Sequence, residues 1–179
     1  AMSTGYIDGL VFTRTGNTAY TIGAGSCRDS TDTRDLRVTS TLTFANVNSG
    51  STGVLNIDTG SFASGTCYYT YIIASADGAT VSATYSLNAT TPTLPAGYTL
   101  YRRVGTWTSL ATGKVADGFQ RGQGRDRTYI YSATTVLLST TSPSTSWAAI
   151  DCSAFAPPNS TIIVNGYFEN AATANNILT

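Results

Sequence analysis

The chain has 179 residues, enough for one domain with its own hydrophobic core, and its ten basic and ten acidic side chains give a net charge of zero. Only 11% of the residues are charged, so we expect neither nucleic acid nor an anionic membrane surface as a partner. Because the sequence contains no histidine, it cannot form a Ser-His-Asp or Cys-His catalytic group or a histidine-ligated metal site.

The composition favours strands and turns over helices. Lys114 is the only lysine and Glu169 the only glutamate, so two strong helix formers are nearly absent. Threonine and tyrosine, which suit strands, are abundant, as are glycine and serine, which suit turns. No run of residues is apolar enough to insert into a membrane, and the first residues lack the pattern of a signal peptide. We expect a single domain over residues 3–179, with Ala1 and Met2 as a cloning remnant or start.

The densest group of charged side chains lies between residues 28 and 35. It consists of Arg28, Asp29, Asp32, Arg34 and Asp35. An Asp-rich loop can bind calcium, but the arginines between the carboxylates and the spacing of the aspartates argue against such a site. We therefore predict a solvated loop of exposed ion pairs.

Two segments, Leu36–Phe44 and Thr80–Leu87, alternate apolar and polar side chains with the two-residue period of a β-strand. Each is predicted to form a half-exposed antiparallel strand. Two further segments, Thr66–Ala74 and Thr128–Leu138, carry tyrosines and β-branched residues on both faces. That pattern predicts central strands or strands at a subunit contact.

Turn signals separate these segments. They are Asp77-Gly78, Thr91-Pro92, Pro95-Ala96-Gly97, Gly122-Gln123-Gly124, Ser142-Pro143, Pro157-Pro158 and Asn165-Gly166. Their spacing predicts an all-β fold of about eight to ten short strands, arranged as an antiparallel β-sandwich or jelly roll. The glycine-rich turn carries Arg121, Arg125 and Arg127, but it lacks a P-loop lysine and a following helix, so we predict a mobile surface hairpin.

The sequence Asp58-Thr59-Gly60-Ser61 is similar to the catalytic signature of aspartic proteases. That chemistry needs two carboxylates that share one proton, so a chain with a single copy could act only as a symmetric dimer. The alternative is a β-turn in which Asp58 bonds its own backbone and Gly60 takes a positive φ. We favour the turn, and we predict no enzyme activity, no catalytic residue, no metal site and no cofactor.

The cysteines and the aromatic residues leave alternatives open. Cys27, Cys67 and Cys152 are odd in number and contain no C-x-x-C pair, so we expect three buried or half-buried thiols, with one disulfide as the alternative. Eleven tyrosines and two tryptophans suit either the stacking of sugar rings or the packing of a core or a subunit contact. Because the sequence does not tell which rings point outward, it identifies no binding residue.

Five blocks follow one another in the first two-thirds of the chain: Gly5–Leu10, Ala24–Ser30, Ile57–Ser61, Thr66–Ile73 and Pro92–Gly105. Their order, and the pattern Pro-x-Leu-Pro-x-Gly-Tyr-x-x-Tyr-Arg-Arg in the last block, resemble a family of tail and virion structural proteins of bacteriophages. Cys67 departs from that family, which tends to carry tryptophan there. The resemblance implies a structural protein of a phage particle without catalytic residues, and it assigns Asp58-Thr59-Gly60 to a turn.

On this basis we expect a receptor-binding domain of a tail fibre, located in the virion and assembled in the host cytoplasm. Its expected partners are copies of itself in a trimer, other virion proteins, and a glycan or protein of the host surface; the trimer is an analogy with other fibres. One alternative is a head decoration or head-fibre protein that binds the capsid. An alternative of another class is a dimeric aspartic protease that uses Asp58.

Overall fold

The computed structural model describes residues 2–124, 126–132, 149, 151–153, 156–157 and 160–163. Within these residues all regular structure is β-strand, which confirms the all-β prediction, and no helix of a length or apolarity that could cross a membrane occurs there. The strands are β1 (Ile7–Gly9), β2 (Phe12–Arg14), β3 (Tyr20–Ile22), β4 (Gly25–Arg28), β5 (Asp35–Val38), β6 (Leu42–Phe44), β7 (Cys67–Ala74), β8 (Val81–Ser86), β9 (Leu100–Thr108), β10 (Gly118–Gln123) and β11 (Asp126–Tyr131).

The strands pair antiparallel in three sheets. One sheet has five strands in the order β11-β10-β2-β3-β6, and two sheets have three strands each, in the orders β1-β4-β5 and β8-β7-β9. The described residues thus form eleven strands rather than eight to ten. The number is higher because three long segments, residues 7–14, 20–28 and 35–44, each bend and contribute one strand to each of two sheets.

A pair of glycines permits the bend in the first two of these segments. Gly9 of β1 lies opposite Gly25 of β4. A Cβ atom on Gly25 would clash with the carbonyl oxygen of Asp8 and lie 2.6 Å from the amide nitrogen of Leu10. Gly9 has a φ of +61°, which favours glycine. The backbones therefore approach each other closely where the chain passes from one sheet to the next.

The segment from Leu36 to Phe44 shows the predicted alternation of burial but not the predicted single strand. Leu36, Val38 and Phe44 are buried, whereas Arg37 and the threonines between them are exposed. The segment divides into β5 and β6, which belong to different sheets. Because the alternation continues through the break, the sequence pattern does not reveal the change of sheet.

Aromatic rings form the core between the five-stranded sheet and the β8-β7-β9 sheet. The ring of Tyr20 stacks on that of Phe44 at 4.3 Å between centroids and on that of Phe12 at 4.7 Å. On the opposite sheet Trp107 stacks on Tyr68 at 4.8 Å, and its ring lies 5.3 Å from that of Tyr20. Each such pair contributes about 0.5–1.5 kcal/mol beyond the burial of its area. The two sheets thus form a sandwich-like arrangement.

Strand β7 is the central strand of its sheet, as its sequence predicts, but the prediction of a half-exposed β8 is wrong. Ala83 and Tyr85 of β8 pack in the core, and the polar residues of the strand are buried as well. The hydroxyl of Thr84 lies 3.0 Å from the carbonyl oxygen of Gly53 and 2.9 Å from that of Asn56. A loop distant in sequence therefore bonds Thr84, which lies on the face that the alternation had assigned to solvent.

Strand β11 lies at one end of the five-stranded sheet. No described strand pairs with its other edge, so a central position for residues 128–131 stays a prediction, and residues 133–138 lie outside the described residues. The alternative of a subunit contact stays a prediction.

Three predicted turns are confirmed. Asp77-Gly78 joins β7 to β8, and Pro95-Ala96-Gly97 precedes β9. At the third turn signal, Gly122 and Gln123 end β10 and pair with β11, and Gly124 begins the turn between the two strands. Their glycines all have positive φ values. Ser142-Pro143, Asn165-Gly166 and Pro158 lie outside the described residues.

The three cysteines form no disulfide, which confirms the expectation of thiols. Cys27 is buried in the core, and Cys67 and Cys152 are half-buried.

Candidate functional site

The Asp58 carboxylate is engaged by backbone amides. One of its oxygens accepts a hydrogen bond from the amide of Thr59 at 2.8 Å, and the other accepts one from the amide of Thr93 at 2.6 Å. The side chain is buried, and Gly60 has a φ of +76°. This geometry confirms the predicted turn. The oxygen bonded to Thr59 holds the turn together, and the oxygen bonded to Thr93 attaches the turn to the segment before β9.

The charged loop between β4 and β5 is not the set of exposed ion pairs that the sequence predicts. The guanidinium of Arg28 does pair with the carboxylate of Asp35 at 2.7 Å. Asp29, however, is only 1% exposed. No cluster of carboxylates and thiols that could hold a metal ion occurs in the described part of the chain.

Asp29 organises this loop as an acceptor. Its carboxylate accepts hydrogen bonds from the amides of Thr31 at 3.0 Å, Thr33 at 2.7 Å and Arg34 at 2.6 Å, and also from the hydroxyls of both threonines. Burial, the largest single influence, raises the pKa of this carboxyl, but the hydrogen bonds together outweigh it and lower the pKa to about 2. Asp29 is thus ionised at neutral pH and fixes the loop that follows β4.

A groove of about 540 Å³ runs along one side of β9. Among the described residues β9 is the end strand of its sheet and pairs with β7 on its other side only. The walls are the β10–β11 hairpin and the loops that follow β4 and β8. Its volume falls in the range of roughly 300–1,000 Å³ that is usual for small-molecule sites. The side chains that matter for binding are Tyr101, Arg102, Arg103, Gln120, Arg127 and Tyr129.

The groove is electropositive although the protein as a whole is neutral. Three of the ten basic residues of the chain line it, and the lining contains no Asp, Glu or Lys. Arg102 is partly neutralised, because its guanidinium lies 3.8 Å from the carboxylate of Asp32. Neither Arg103 nor Arg127 forms an ion pair with any described residue. Two guanidinium groups of the groove therefore lack a carboxylate partner in the described structure.

Arg127 is a rigid, half-buried cation. Its guanidinium donates hydrogen bonds to the backbone carbonyls of Gly9 at 2.7 Å, Leu10 at 2.9 Å and Val104 at 3.2 Å. Burial lowers the pKa of Arg127, while Cys27 and the carboxylate of Asp8 raise it, and an arginine stays protonated at any physiological pH. The residue therefore joins the β10–β11 hairpin to β9 and leaves a positive charge beside the groove.

Arg103 is exposed and held in place by two contacts. Its guanidinium donates a hydrogen bond to the carbonyl of Ala89 at 2.7 Å and lies 5.6 Å from the centre of the Tyr69 ring. A guanidinium bonded to one carbonyl retains further N–H donors, since it has five in all. Arg103 is thus the side chain of the groove that is best able to reach an incoming anion.

Neutral groups complete the groove. The side-chain oxygen of Gln120 accepts a hydrogen bond from the amide of Phe12 at 3.1 Å, and its side-chain nitrogen has no acceptor among the described residues. The ring of Tyr101 packs edge-on against that of Tyr71 at 6.0 Å, and the hydroxyl of Tyr129 donates to the carbonyl of Ala116 at 2.9 Å. The groove thus offers donors and aromatic faces but no carboxylate, thiol or amine. Such a site binds an anion more readily than it performs acid-base chemistry.

The sequence identified none of these residues as a binding residue. Two signals were present: the adjacent Arg102-Arg103 pair in the most recognisable block, and the basic residues of the glycine-rich loop. We predicted that loop to be a surface hairpin, and the hairpin is confirmed by the pairing of β10 with β11. Arg125 lies outside the described residues, whereas Arg127 points inward.

Comparisons with family models, with curated proteins and with solved structures give no match to this chain. The resemblance to phage virion proteins therefore depends on the quoted sequence blocks alone.

Proposed function

We propose that this protein is a non-enzymatic binding domain of a tailed-bacteriophage virion, with a tail fibre as its place and the host surface as its target. The observation that carries the proposal is the open groove beside β9, which presents guanidinium, amide and aromatic groups on a rigid antiparallel framework. Polar donors and aromatic faces on such a framework suit recognition of a surface ligand. The ordered sequence blocks that resemble phage virion proteins add the biological setting.

The geometry of Asp58 disfavours the protease alternative. An aspartic protease needs a carboxylate that faces a second one across a shared proton. Here both oxygens of Asp58 already accept hydrogen bonds from backbone amides. Asp58→Ala is expected to weaken the turn, and incubation of the wild-type protein with unfolded casein is expected to yield no cleavage.

Light scattering of the purified chain at several concentrations tests the oligomeric part of the proposal. A stable species of three times the 18.7 kDa chain mass supports a fibre or other virion protein. A dimer with proteolytic activity would overturn the proposal in favour of the Asp58 protease.

Binding to cells tests the target. A fluorescent fusion of the chain is incubated with a panel of bacterial strains, and each strain that binds it is then challenged with its phages. Binding that reduces phage adsorption supports the tail-fibre proposal. Binding to isolated phage heads in place of cells would overturn it and assign the protein to the capsid surface.

A further inference from the structure

We propose that the groove beside β9 binds an acidic saccharide, with its carboxylate held by Arg103 and supported by the positive charge of Arg127. This inference depends on the proposed surface-binding function and names the chemical class of its ligand. Four kinds of observation carry it: the charge of the groove, the state of its arginines, the engaged backbone of β9 and the neutral groups of the lining.

The charge selects an anion. The guanidinium of Arg127 is half-buried and donates its hydrogen bonds to carbonyl groups. It forms no ion pair with a described residue, although the charge of Asp8 acts on it from a greater distance. Arg103, which also lines the groove, keeps free N–H donors. Two such groups favour an anion with paired oxygens, such as a carboxylate, because a guanidinium can bind two of its oxygens at once.

The backbone of β9 disfavours an added peptide strand. A peptide that extends a sheet needs a ladder of unengaged backbone groups along the edge. The carbonyl of Tyr101 already accepts a hydrogen bond from the amide of Ser30 at 2.7 Å, and that of Thr108 accepts one from the amide of Ala116 at 2.8 Å. The carbonyl of Val104 is engaged by Arg127. The ligand must therefore be recognised by side chains.

The neutral groups of the groove suit a sugar. The side-chain nitrogen of Gln120 is an available donor for a ring hydroxyl. The half-buried rings of Tyr101 and Tyr129 also line the groove, and aromatic rings are groups on which a sugar can stack. The described residues leave part of the groove open to solvent, which suits a residue within a longer polysaccharide. A carboxylate-bearing sugar satisfies the cationic and the neutral groups together.

The test uses an array of bacterial capsular and lipopolysaccharide repeat units in which each uronic-acid or sialic-acid glycan is printed beside its carboxyl-reduced counterpart. The wild-type chain is expected to bind at least one acidic glycan about tenfold more tightly than the reduced form, which corresponds to about 1.4 kcal/mol. The affinity is also expected to fall as the salt concentration rises. If no acidic glycan is preferred over its reduced form, or if poly-glutamate binds equally well, the inference is wrong.

Arg103→Gln is expected to weaken this binding by tenfold or more, and Arg103→Lys by less, because lysine keeps the charge but not the two-pronged geometry. The matched control is Arg37→Gln, which removes one exposed arginine on β5, outside the groove. Equal thermal unfolding of the two glutamine variants shows that the fold is kept. Equal affinity of the two variants would overturn the inference.

Cell binding separates this inference from the proposed function. If wild type and Arg103→Gln bind cells alike, the groove is not the site, although the surface-binding function stands. If the groove binds an acidic glycan but the protein neither binds cells nor reduces phage adsorption, the ligand class is correct and the tail-fibre function is wrong.

Discussion

The replacement Asp29→Asn tests whether one buried carboxylate holds the loop between β4 and β5. Asparagine keeps the size of the side chain but removes its charge, and it places an NH₂ group where one carboxylate oxygen accepts hydrogen bonds. One oxygen of Asp29 accepts hydrogen bonds from the amides of Thr33 and Arg34, and the other accepts one from the amide of Thr31. In either orientation of the asparagine, at least one backbone amide would face another donor.

The magnitude follows from the pKa. The pKa of Asp29 is about 2 in the folded protein against an ordinary value of 3.8. Since a shift of one unit corresponds to about 1.36 kcal/mol, the ionised carboxylate stabilises the fold by about 2 kcal/mol at neutral pH. An unsatisfied buried donor costs a further amount of about 1–3 kcal/mol. We therefore expect Asp29→Asn to lower the free energy of unfolding by at least about 2 kcal/mol at pH 7.

The effect has a defined dependence on pH. Because the folded pKa is lowered, the stabilisation is fully present above pH 3.8 and is lost as the pH falls toward the folded value of about 2. Urea unfolding of both proteins, followed by tryptophan fluorescence at several pH values between 7 and 2, measures this. The difference between them is expected to shrink as the solution becomes acidic.

Asp77→Asn is the matched control, since Asp77 also accepts a hydrogen bond from a backbone amide but lies exposed in the turn between β7 and β8. Its effect is expected to be much smaller. Equal losses for the two variants, or a loss for Asp29→Asn that does not depend on pH, would refute the assignment of the stability to this buried carboxylate.

Three further predictions concern the core. Gly25→Ala is expected to destabilise the protein by several kcal/mol because the added Cβ would clash with the neighbouring strand. Gly16→Ala is the control: its added Cβ would have its nearest neighbour at 3.6 Å, so this variant should change the thermal unfolding temperature little. Trp107→Ala should cost about 3–5 kcal/mol in urea unfolding, since it leaves a cavity among stacked rings; a cost below about 1 kcal/mol would contradict the described core. Burial raises the pKa of the Cys27 thiol to about 12. At pH 8 this thiol should therefore react with a disulfide reagent only after unfolding, and more slowly than half-buried Cys67. Rapid labelling of Cys27 in the native protein would contradict its buried position.

Local features of the fold were predictable because they depend on neighbouring residues. The alternation of Leu36, Val38 and Phe44 with polar residues gave the correct buried face, because successive side chains in a strand point to opposite sides. The turns at Gly78 and Gly97 were predictable because glycine adopts a positive φ without steric cost. Asp58 was correctly assigned to a turn for the same kind of local reason.

Features that depend on contacts between distant residues were not predictable. Asp29 belongs to a charged run typical of an exposed loop, and it is buried because the loop folds around its carboxylate. Thr84, on the polar face of β8, is buried and bonded to the carbonyls of Gly53 and Asn56, and the backbone of residues 55–58 pairs with the edge of β8. No pattern within either segment indicates the partner that covers it.

The sequence by itself determined that this chain forms strands and turns, which residues of several strands face inward, and that histidine-based chemistry is excluded. Those properties depend on side-chain type and on a two-residue period. The tertiary structure alone decided that Arg102 and Arg103 of β9 line the same groove as Arg127 of β11. Strand pairing brings together residues far apart in the chain, and the charge of the groove exists only once the strands have paired.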